Sequence, residues 1–353
     1  MKALELQAVG RLALVAHPVP EPGPGEVLLK IAACGVCGSD LPRIFEKGTY
    51  HFPTVCGHEF AGTVAAIGPD VSRYRVGDRT AVFPLLWCGH CAACETGHYV
   101  QCAHYDYFGS RRDGGFEEYL AVPERNLIAV PNGVTLTEAA MTEPAAVALH
   151  AVNRLAPAPG VTGVVFGAGP IGLLAAQWLR LVGVSAVILF DVVPEKLEIA
   201  RQLGFADVFS SLDTDPAAAV TERTAGRGAA VVIEAAGRAE TLTAAIAVTA
   251  RGGRLALLGN HTRPVTLPPE LISQAMRREI ALLGVWNSVY RCHDGGEWAT
   301  ALQSMAARRL ELQRLISHQV TLDEATGILP KMYRRDGFFM KVMIHPQPDL
   351  QKA

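Results

Sequence analysis

The chain has 353 residues, of which 50% are apolar and 19% charged, a composition typical of a folded globular protein and not of a disordered or fibrous one. At roughly 150 residues per domain, this length predicts two domains. The 32 basic and 34 acidic residues nearly cancel, so we expect neither a nucleic acid nor a membrane as a partner. The amino-terminal segment lacks the basic stretch and unbroken apolar run of a signal peptide, which predicts a cytoplasmic protein.

The first predicted elements are short strands. Between about Val27 and Tyr119, β-rich runs such as VLLKIAACG, FAGTVAAIG and RTAVF are separated by Gly, Pro and Asp turns, the pattern of a small, mostly β domain. From about Val161 the pattern changes to short apolar runs that alternate with helix-forming segments. This alternation predicts a doubly wound parallel sheet, which begins with a strand, a helix and a strand up to Phe190.

The last predicted elements belong to the β domain again. A helix over residues 297–309 leads to short strands near residues 316–320 and 339–344. We therefore expect an α/β protein of two domains. The mostly β domain takes residues 1–150 and 290–353, and the parallel-sheet domain takes residues 151–289.

A glycine motif marks the start of the second domain. Gly167, Gly169 and Gly172 form G-x-G-x-x-G directly after an apolar strand and before a helix-forming run. The next strand ends at Asp191, nineteen residues past the last of these glycines, where a carboxylate can bind the adenosine ribose of a dinucleotide. None of the four residues after Asp191 is an arginine, which favours NAD over NADP. The alternative is a tight strand-to-helix turn in another doubly wound protein.

The cysteine spacing predicts a closed metal site in a lobe over residues 86–104. Cys88, Cys91, Cys94 and Cys102 form C-x2-C-x2-C-x7-C, which lets four thiolates from one loop surround a zinc ion. Four sulfurs leave no open coordination position, so this zinc would be structural. His90 and His98 lie in the same loop, but four thiolates already complete the coordination. The alternative is four free cysteines with this spacing by chance.

A second, dispersed set of residues has the chemistry of a catalytic zinc site. It consists of Cys37 in GVCGSD, His58 and Glu59 in CGHEFAG, and Glu143 in MTEPAAV. A thiolate, an imidazole and one or two carboxylates can hold zinc and leave a position for a substrate oxygen. Spacing alone does not establish the site, because single Cys and His residues in a β domain are often packed core residues.

Together these motifs resemble the zinc-dependent medium-chain dehydrogenases over nearly the whole chain. The resemblance implies a GroES-like catalytic domain followed by a Rossmann domain, and homodimers or homotetramers joined through the edge of the Rossmann sheet, with the strand around Leu257 as a candidate edge. Within the family the chain resembles the polyol branch, which uses Cys, His and Glu at the catalytic zinc. The segments CGSDLPRIFEKG, YDYFGSRRDGGFEEY and LLGVWNS resemble members that act on sugar-alcohol phosphates.

The resemblance implies an enzyme with two zinc ions per chain that oxidises a secondary alcohol of a polyol phosphate to a ketose phosphate, with NAD as hydride acceptor. Cys37 and His58 would bind the catalytic zinc, and Glu59 and Glu143 would share the remaining position. Ser39 would accept the alcohol proton. His51 is a candidate exit for that proton, with an exposed loop histidine as the alternative reading.

The remaining site residues concern the cofactor and the substrate. We expect the cofactor to contact the three glycines and Asp191 together with Pro170, Ile171, Lys196, Leu258, Gly259 and Trp286. Candidate substrate residues are Arg43, Arg111, Arg112 and Asn287, of which the arginines would bind the phosphate. Alternatively, the arginines at 111 and 112 belong to a solvated loop with internal salt bridges.

Two other functions remain open at this point. One is a dehydrogenase of an unphosphorylated polyol such as galactitol, sorbitol or xylitol. Plain sorbitol is in doubt, because Leu41, Pro42 and Arg43 follow CGSD where sorbitol dehydrogenases usually have a histidine and an aromatic residue. The other is a non-catalytic protein that binds zinc or nucleic acid through the four cysteines, which the neutral charge balance disfavours.

Overall fold

Eighteen strands are found in the part of the chain that the structure, a computed structural model, describes, residues 1–291 and 295–347. They are β1 (Lys2–Ala8), β2 (Arg11–Ala16), β3 (Glu26–Gly35), β4 (Thr54–Val55), β5 (Glu59–Ile67), β6 (Arg79–Val82), β7 (Leu85–Leu86), β8 (Asp106–Tyr107), β9 (Tyr119–Pro123), β10 (Leu127–Ala129), β11 (Thr162–Phe166), β12 (Ala186–Asp191), β13 (Asp207–Ser210), β14 (Ala229–Glu234), β15 (Thr249–Leu257), β16 (Ala281–Gly284), β17 (Ile316–Thr321) and β18 (Lys341–His345).

The same residues contain eleven α-helices, besides short 3-10 and π turns. They are α1 (Asp40–Pro42), α2 (Ala92–Glu95), α3 (Leu136–Ala140), α4 (Thr142–Leu155), α5 (Pro170–Leu181), α6 (Pro194–Gln202), α7 (Pro216–Arg223), α8 (Ala239–Val248), α9 (Pro269–Arg278), α10 (Gly296–Ala306) and α11 (Leu322–Arg334). None of these helices is long and apolar enough to cross a membrane.

The chain divides into two compact units. The first consists of Met1–Glu143 and the segment that begins at Val289, and the second is Pro144–Ser288. The sequence-based boundaries, after residues 150 and 289, lie a few residues from these positions. Cys292, His293, Asp294 and the residues after 347 fall outside the described part of the chain, as does the end of the predicted first domain.

The first unit is mostly β. A mixed sheet of seven strands has the order β10-β6-β5-β3-β18-β17, with β9 also paired to β3. Only the β17 and β18 pair is parallel, and the other pairs are antiparallel. Buried side chains such as Leu29, Ile31, Phe60 and Phe116 form its core. The strands predicted near residues 316–320 and 339–344 are therefore present, and β18 lies next to β3 although they are far apart in sequence.

The second unit is a parallel sheet of six strands in the order β13-β12-β11-β14-β15-β16. Its apolar strands, such as AVILFD and AAVVIE, are almost fully buried because helices connect the parallel strands. Strand order reverses between β11 and β14, the position at which doubly wound sheets bind ligands. The predicted α/β fold, with a mostly β domain and a doubly wound parallel sheet, is thus confirmed.

Two details of the sheets correct the sequence-based expectations. The strand around Leu257 is β15, which lies inside the sheet, whereas the edge on that side is β16. In addition, β13 has no long apolar run, and only Val208 of its DVFS segment is buried. A strand at the opposite edge of the sheet buries fewer side chains, so its pattern is too weak to predict.

Candidate active site and metal sites

The candidate catalytic residues come together because two strands pair in a fixed register. β3 and β5 are antiparallel, and Gly35 at the end of β3 lies opposite Glu59 at the start of β5. Cys37 follows Gly35 and His58 precedes Glu59, so the register brings the three side chains to one place. A Cβ atom at position 35 would lie 2.2 Å from Glu59 Oε2, so this close approach requires glycine.

These three side chains form a metal-sized cluster. The Sγ atom of Cys37, a ring nitrogen of His58 and a carboxylate oxygen of Glu59 all lie within 4.8 Å of one another. His58 and Glu59 are buried, whereas Cys37 is partly accessible. A thiolate, an imidazole and a carboxylate match the donor set of catalytic zinc. The donor set fits a zinc ion, and the partial accessibility of Cys37 would let a ligand approach it.

Asp40 is a buried acid that contacts two residues of this cluster. Its carboxylate accepts the Cys37 backbone N–H at 2.9 Å, lies 3.2 Å from His58 Nδ1 and pairs with Arg43 at 3.0 Å. The contact with His58 lacks regular hydrogen-bond geometry, so it is mainly electrostatic. Burial alone would raise the pKa of Asp40, but His58 and Arg43 hold it below its ordinary value. Asp40 therefore remains charged and orients His58.

Lys341 is a site residue that the sequence-based prediction missed. Its ammonium group donates to both carboxylate oxygens of Glu59, at 2.9 and 2.6 Å, and to the Val36 carbonyl at 3.1 Å. Both side chains are almost fully buried. Burial would lower the pKa of Lys341, but Glu59 raises it, so the lysine stays charged. The only sequence signal is a lysine directly before the apolar residues of strand β18, whose sequence is KVMIH.

Glu143 and Tyr107 lie close to the same charges. Glu143, at the start of α4, does not belong to the cluster of three ligand atoms. It is buried, with 7% of its surface exposed. Burial and the charge of Glu59 raise the pKa of Glu143 to about 7. The ring centroid of Tyr107 lies 5.8 Å from that of His58. Burial and Glu143 raise the pKa of Tyr107, which is therefore neutral. Tyr107, on the short strand β8, is a second residue missed from the sequence.

Ser39 and His51 already have partners in the protein. The Ser39 hydroxyl donates to Cys37 Sγ at 3.3 Å. The ring nitrogens of His51 contact two carbonyl oxygens, of Pro53 at 3.1 Å and of Arg111 at 3.0 Å. His51 is exposed, and these contacts join its loop to the loop of Arg111.

The three candidate phosphate-binding arginines also contact protein groups. Arg43 pairs with Asp40. The Arg111 guanidinium stacks between the rings of Tyr50 and Tyr105, at 4.2 and 4.5 Å from their centroids. Arg112 lies 3.5 Å from Asp106 and is about half exposed. All three retain N–H groups for a ligand, because a guanidinium has five.

The four cysteines of the lobe are brought together by one loop. Their sulfur atoms lie within 4.8 Å of one another, with Cys88 to Cys94 at 3.9 Å and Cys91 to Cys94 at 3.5 Å. Four sulfurs about 2.3 Å from a tetrahedral zinc would be about 3.8 Å apart. A backbone hydrogen bond from Ala103 and contacts with neighbouring thiols lower the pKa of Cys91 to about 6, which favours its thiolate. The donor set fits a closed four-thiolate zinc site.

The glycine motif of the second unit has the backbone that a dinucleotide needs. Gly167 has a φ of +97°, and a Cβ atom at Gly172 would lie 1.8 Å from the Gly167 carbonyl oxygen. At Gly169 a Cβ atom would meet nothing within 4 Å, so this face is open for a phosphate. Pro170 and Ile171 begin α5, whose free amide groups favour an anion.

Two acids hold the loops around this face. Asp191 accepts the N–H groups of Ala168 at 2.7 Å, Val192 at 2.8 Å and Val193 at 2.9 Å, and Lys196 lies 3.9 Å away. Both its oxygens keep lone pairs for ribose hydroxyls.

Glu234, which the sequence-based prediction missed, is the second acid. Its side chain accepts the Gly237 N–H at 2.8 Å, and its carbonyl accepts the N–H groups of Leu258 and Gly259. Of the two predicted residues after this sheet, Trp286 is 55% exposed, whereas Asn287 is nearly buried and its amide oxygen accepts the Ser288 N–H at 2.8 Å.

Comparison with known proteins agrees with this geometry. Residues 23–132 match the model of the alcohol dehydrogenase GroES-like domain, and residues 170–307 match that of the zinc-binding dehydrogenases. The chain belongs to the zinc-binding, medium-chain dehydrogenase family and is an NAD(P)-linked oxidoreductase. The resemblance inferred from the sequence is therefore confirmed.

Particular relatives are similar over nearly the whole chain. The galactitol 1-phosphate 5-dehydrogenase of Escherichia coli K12 is 35% identical over 90% of this chain and 92% of its own. The crystal structure of galactitol-1-phosphate dehydrogenase from Escherichia coli superposes with a TM-score of 0.92 at 34% identity, covering 98% and 100% of the two chains.

Two further relatives bear on substrate and cofactor. The sorbitol dehydrogenase of Bacillus subtilis is 30% identical over 98% of this chain and 97% of its own. A zinc-binding dehydrogenase from Sinorhizobium meliloti, solved with NADP, has a TM-score of 0.89 at 30% identity and covers 98% and 99% of the two chains.

Proposed function

We propose that the chain catalyses the reversible, NAD-linked oxidation of a secondary alcohol of a polyol phosphate to a ketose phosphate, as in the conversion of galactitol 1-phosphate to tagatose 6-phosphate. The observation that carries the proposal is the cluster of Cys37, His58 and Glu59, with ligand atoms within 4.8 Å, at the partly accessible end of β3. The similarity to galactitol 1-phosphate 5-dehydrogenase supports the substrate class.

In this proposal Cys37 and His58 hold zinc, and Glu59 and Glu143 share the remaining protein position. When bound, zinc supplies a Lewis acid that lowers the pKa of a substrate hydroxyl by roughly 8 units. Asp40 keeps the His58 ring in place. Lys341 holds Glu59 at 2.6 Å, so Glu59 must share its negative charge between the ammonium group and the metal.

Ser39 is the residue to which we assign the alcohol proton. Its hydroxyl donates to Cys37 Sγ at 3.3 Å and keeps lone pairs that can accept. The proton must then leave through other hydroxyls, because a serine cannot retain it. His51 is less suited as the final exit, since both of its ring nitrogens contact carbonyl oxygens.

NAD is the cofactor we propose, and it supplies hydride acceptance when bound. Asp191 presents a carboxylate that accepts ribose hydroxyls and repels a ribose phosphate, although Lys196 at 3.9 Å offsets part of that charge. Replacing Asp191 by Ser should weaken the binding of NAD and favour NADP relative to it. The measurement is the ratio of kcat/KM with NAD to kcat/KM with NADP. An unchanged ratio would contradict this assignment.

Arg43, Arg111 and Arg112 are the candidate phosphate ligands, and they can be separated by experiment. Replacement of a phosphate-binding arginine by Ala should lower kcat/KM roughly 10- to 150-fold for the phosphorylated substrate only. Arg43 pairs with Asp40, so a loss common to both kinds of substrate would mean that it acts through Asp40. If none of the three variants affects the phosphorylated substrate selectively, the phosphate site is wrong.

The second candidate is a dehydrogenase of an unphosphorylated polyol. It is favoured by the protein partners that all three arginines already have and by the similarity to sorbitol dehydrogenase. Formation of NADH with a panel of alditols and alditol phosphates separates the two functions. We expect the highest kcat/KM for an alditol phosphate, and a preference for the free alditol would establish the alternative.

We further propose a structural zinc in the four-cysteine lobe, a cytoplasmic location and a homodimer or homotetramer. Reduced cysteines with metal-ligand spacing are typical of the cytoplasm. Among the described residues, β16 is the edge strand of its sheet and pairs only with β15, and its Leu282 is 43% exposed, which supports association through this edge. Light scattering of the purified protein tests the oligomeric state.

A further inference from the structure

A separate cavity lies in the first unit, beside the hairpin of β1 and β2. Its volume is about 530 Å³, within the range typical of small-molecule sites. The cluster of Cys37, His58 and Glu59 does not line it. Its walls are largely apolar, through Pro18, Pro20, Pro53, Val55, Phe108 and Leu120.

Most of the charged groups that line this cavity have partners. These contacts are His17 Nε2 to Glu5 Oε1 at 2.7 Å, Val55 N–H to Asp113 Oδ1 at 2.8 Å, Gly23 N–H to Glu26 Oε2 at 3.1 Å, and Arg112 Nε to Asp106 Oδ2 at 3.5 Å. Three basic groups thus line the cavity, the His17 ring, the Arg112 guanidinium and the amino terminus of Met1, which donates to the His17 carbonyl at 2.6 Å, and all three have partners other than Glu117.

Glu117 is the exception. It is 3% exposed and lines the cavity, yet its carboxyl group forms no hydrogen bond or ion pair with any residue in the described ranges. Its charged neighbours Asp113 and Glu5 are also acids, and burial together with these two raises its pKa to about 9. A buried polar group without a partner is costly, so the protein carries an uncompensated acid at this wall.

We propose that this cavity binds a small organic cation with a primary ammonium group, and that Glu117 is its counter-charge. The ammonium group donates to the Glu117 carboxylate, while the alkyl part of the ligand lies on the apolar wall. A metal ion fits less well, because these acids do not form a compact ligand cluster among the described residues.

The test uses n-butylammonium as the probe and n-butanol as its neutral counterpart, with the zinc-loaded protein and ligand-observed NMR. We expect n-butylammonium to bind in the millimolar range or tighter and n-butanol not to bind. Glu117→Gln should weaken binding roughly tenfold or more, because it removes a charge-assisted hydrogen bond. Glu240→Gln, an exposed acid of the second unit, is the matched control and should change nothing.

Two further measurements check that binding depends on the charge of Glu117 and on the space in the cavity. Affinity for n-butylammonium should rise at least tenfold from pH 7 to pH 9, since Glu117 must ionise to bind it. Ala121→Leu narrows the cavity without a change of charge and should also abolish binding. Turnover should be unaffected in these variants, which shows that they are folded.

Three results would overturn the proposal: no binding of n-butylammonium, equal binding by wild type and Glu117→Gln, or equal binding of n-butanol. Displacement of the probe by low concentrations of KCl or MgCl2 would indicate an inorganic cation and would equally reject the organic one. These outcomes leave the dehydrogenase function untouched, because that function is measured separately by NADH formation.

Discussion

The two candidate metal sites of this protein are built in opposite ways. The four cysteines of the lobe come from a single loop of fifteen residues, Cys88 to Cys102, and Cys88 and Cys91 are partly accessible. The site at Cys37 draws its residues from the ends of β3 and β5, and it is surrounded by the buried charges of Asp40 and Lys341. A closed site needs only local chain geometry, whereas a reactive site also needs charges that tertiary structure brings to it.

The comparison shows what each design makes possible. Four thiolates neutralise and enclose a metal without help from the rest of the fold. A mixed site with an open position depends on its supporting residues to orient the imidazole and to balance the carboxylate. We therefore expect the lobe to tolerate changes outside its cysteines, and the Cys37 site to be sensitive to residues that never touch the metal.

The two metal sites should differ most in how easily they lose zinc to a chelator. Two zinc ions per chain are expected, and a mild chelator should remove the one at Cys37 first, because that site has mixed ligands and an open position. Activity should fall to background while the far-ultraviolet circular dichroism spectrum and one zinc per chain remain. Fully active protein with a single zinc would contradict this prediction.

Removal of the buried lysine should cost the most stability. Lys341→Met leaves the Glu59 carboxylate buried without its partner, so the free energy of unfolding should fall by about 3–5 kcal/mol in urea denaturation. The double variant with Glu59→Gln should recover most of the loss. Lys2→Met is the matched control, because its pair with Asp323 is more than half exposed and should contribute about 1 kcal/mol or less.

An effect of intermediate size is expected at Asp40. Asp40→Asn keeps the shape of the side chain but removes the charge that faces His58 and Arg43. Activity or zinc affinity at the Cys37 site should fall roughly 10- to 100-fold. The zinc of the lobe, measured by atomic absorption after dialysis, should be retained, and a loss of both ions would mean that Asp40 only supports the fold.

The smallest effect should come from a histidine inside the lobe. The His90 ring is exposed, and its Nδ1 atom contacts the Cys88 carbonyl at 3.0 Å. If four thiolates complete the coordination, His90→Ala should change zinc affinity less than about twofold. A tenfold loss in a competition titration would show that His90 takes part in the site.

Much of this protein could be predicted from sequence because its signals are local. The four-cysteine spacing, the glycine motif with Asp191, and the apolar strands of the parallel sheet each lie within a few tens of residues. Gly167 and Gly172 illustrate the reason, since positive φ and close backbone approach admit almost no other residue. Such constraints act on the local backbone, so they leave a pattern in the sequence that does not depend on distant parts of the fold.

Only the tertiary structure decided which charges meet. Lys341 reaches Glu59 across 282 positions because β18 pairs with β3, and no spacing rule relates the two. The carboxylate of Asp40 likewise depends on the β3 and β5 register to face His58, and Glu117 becomes an uncompensated acid only because Asp113 and Glu5 fold beside it. Ionisable side chains carry no periodic pattern, so their partners are set by long-range pairing of strands and not by the local sequence.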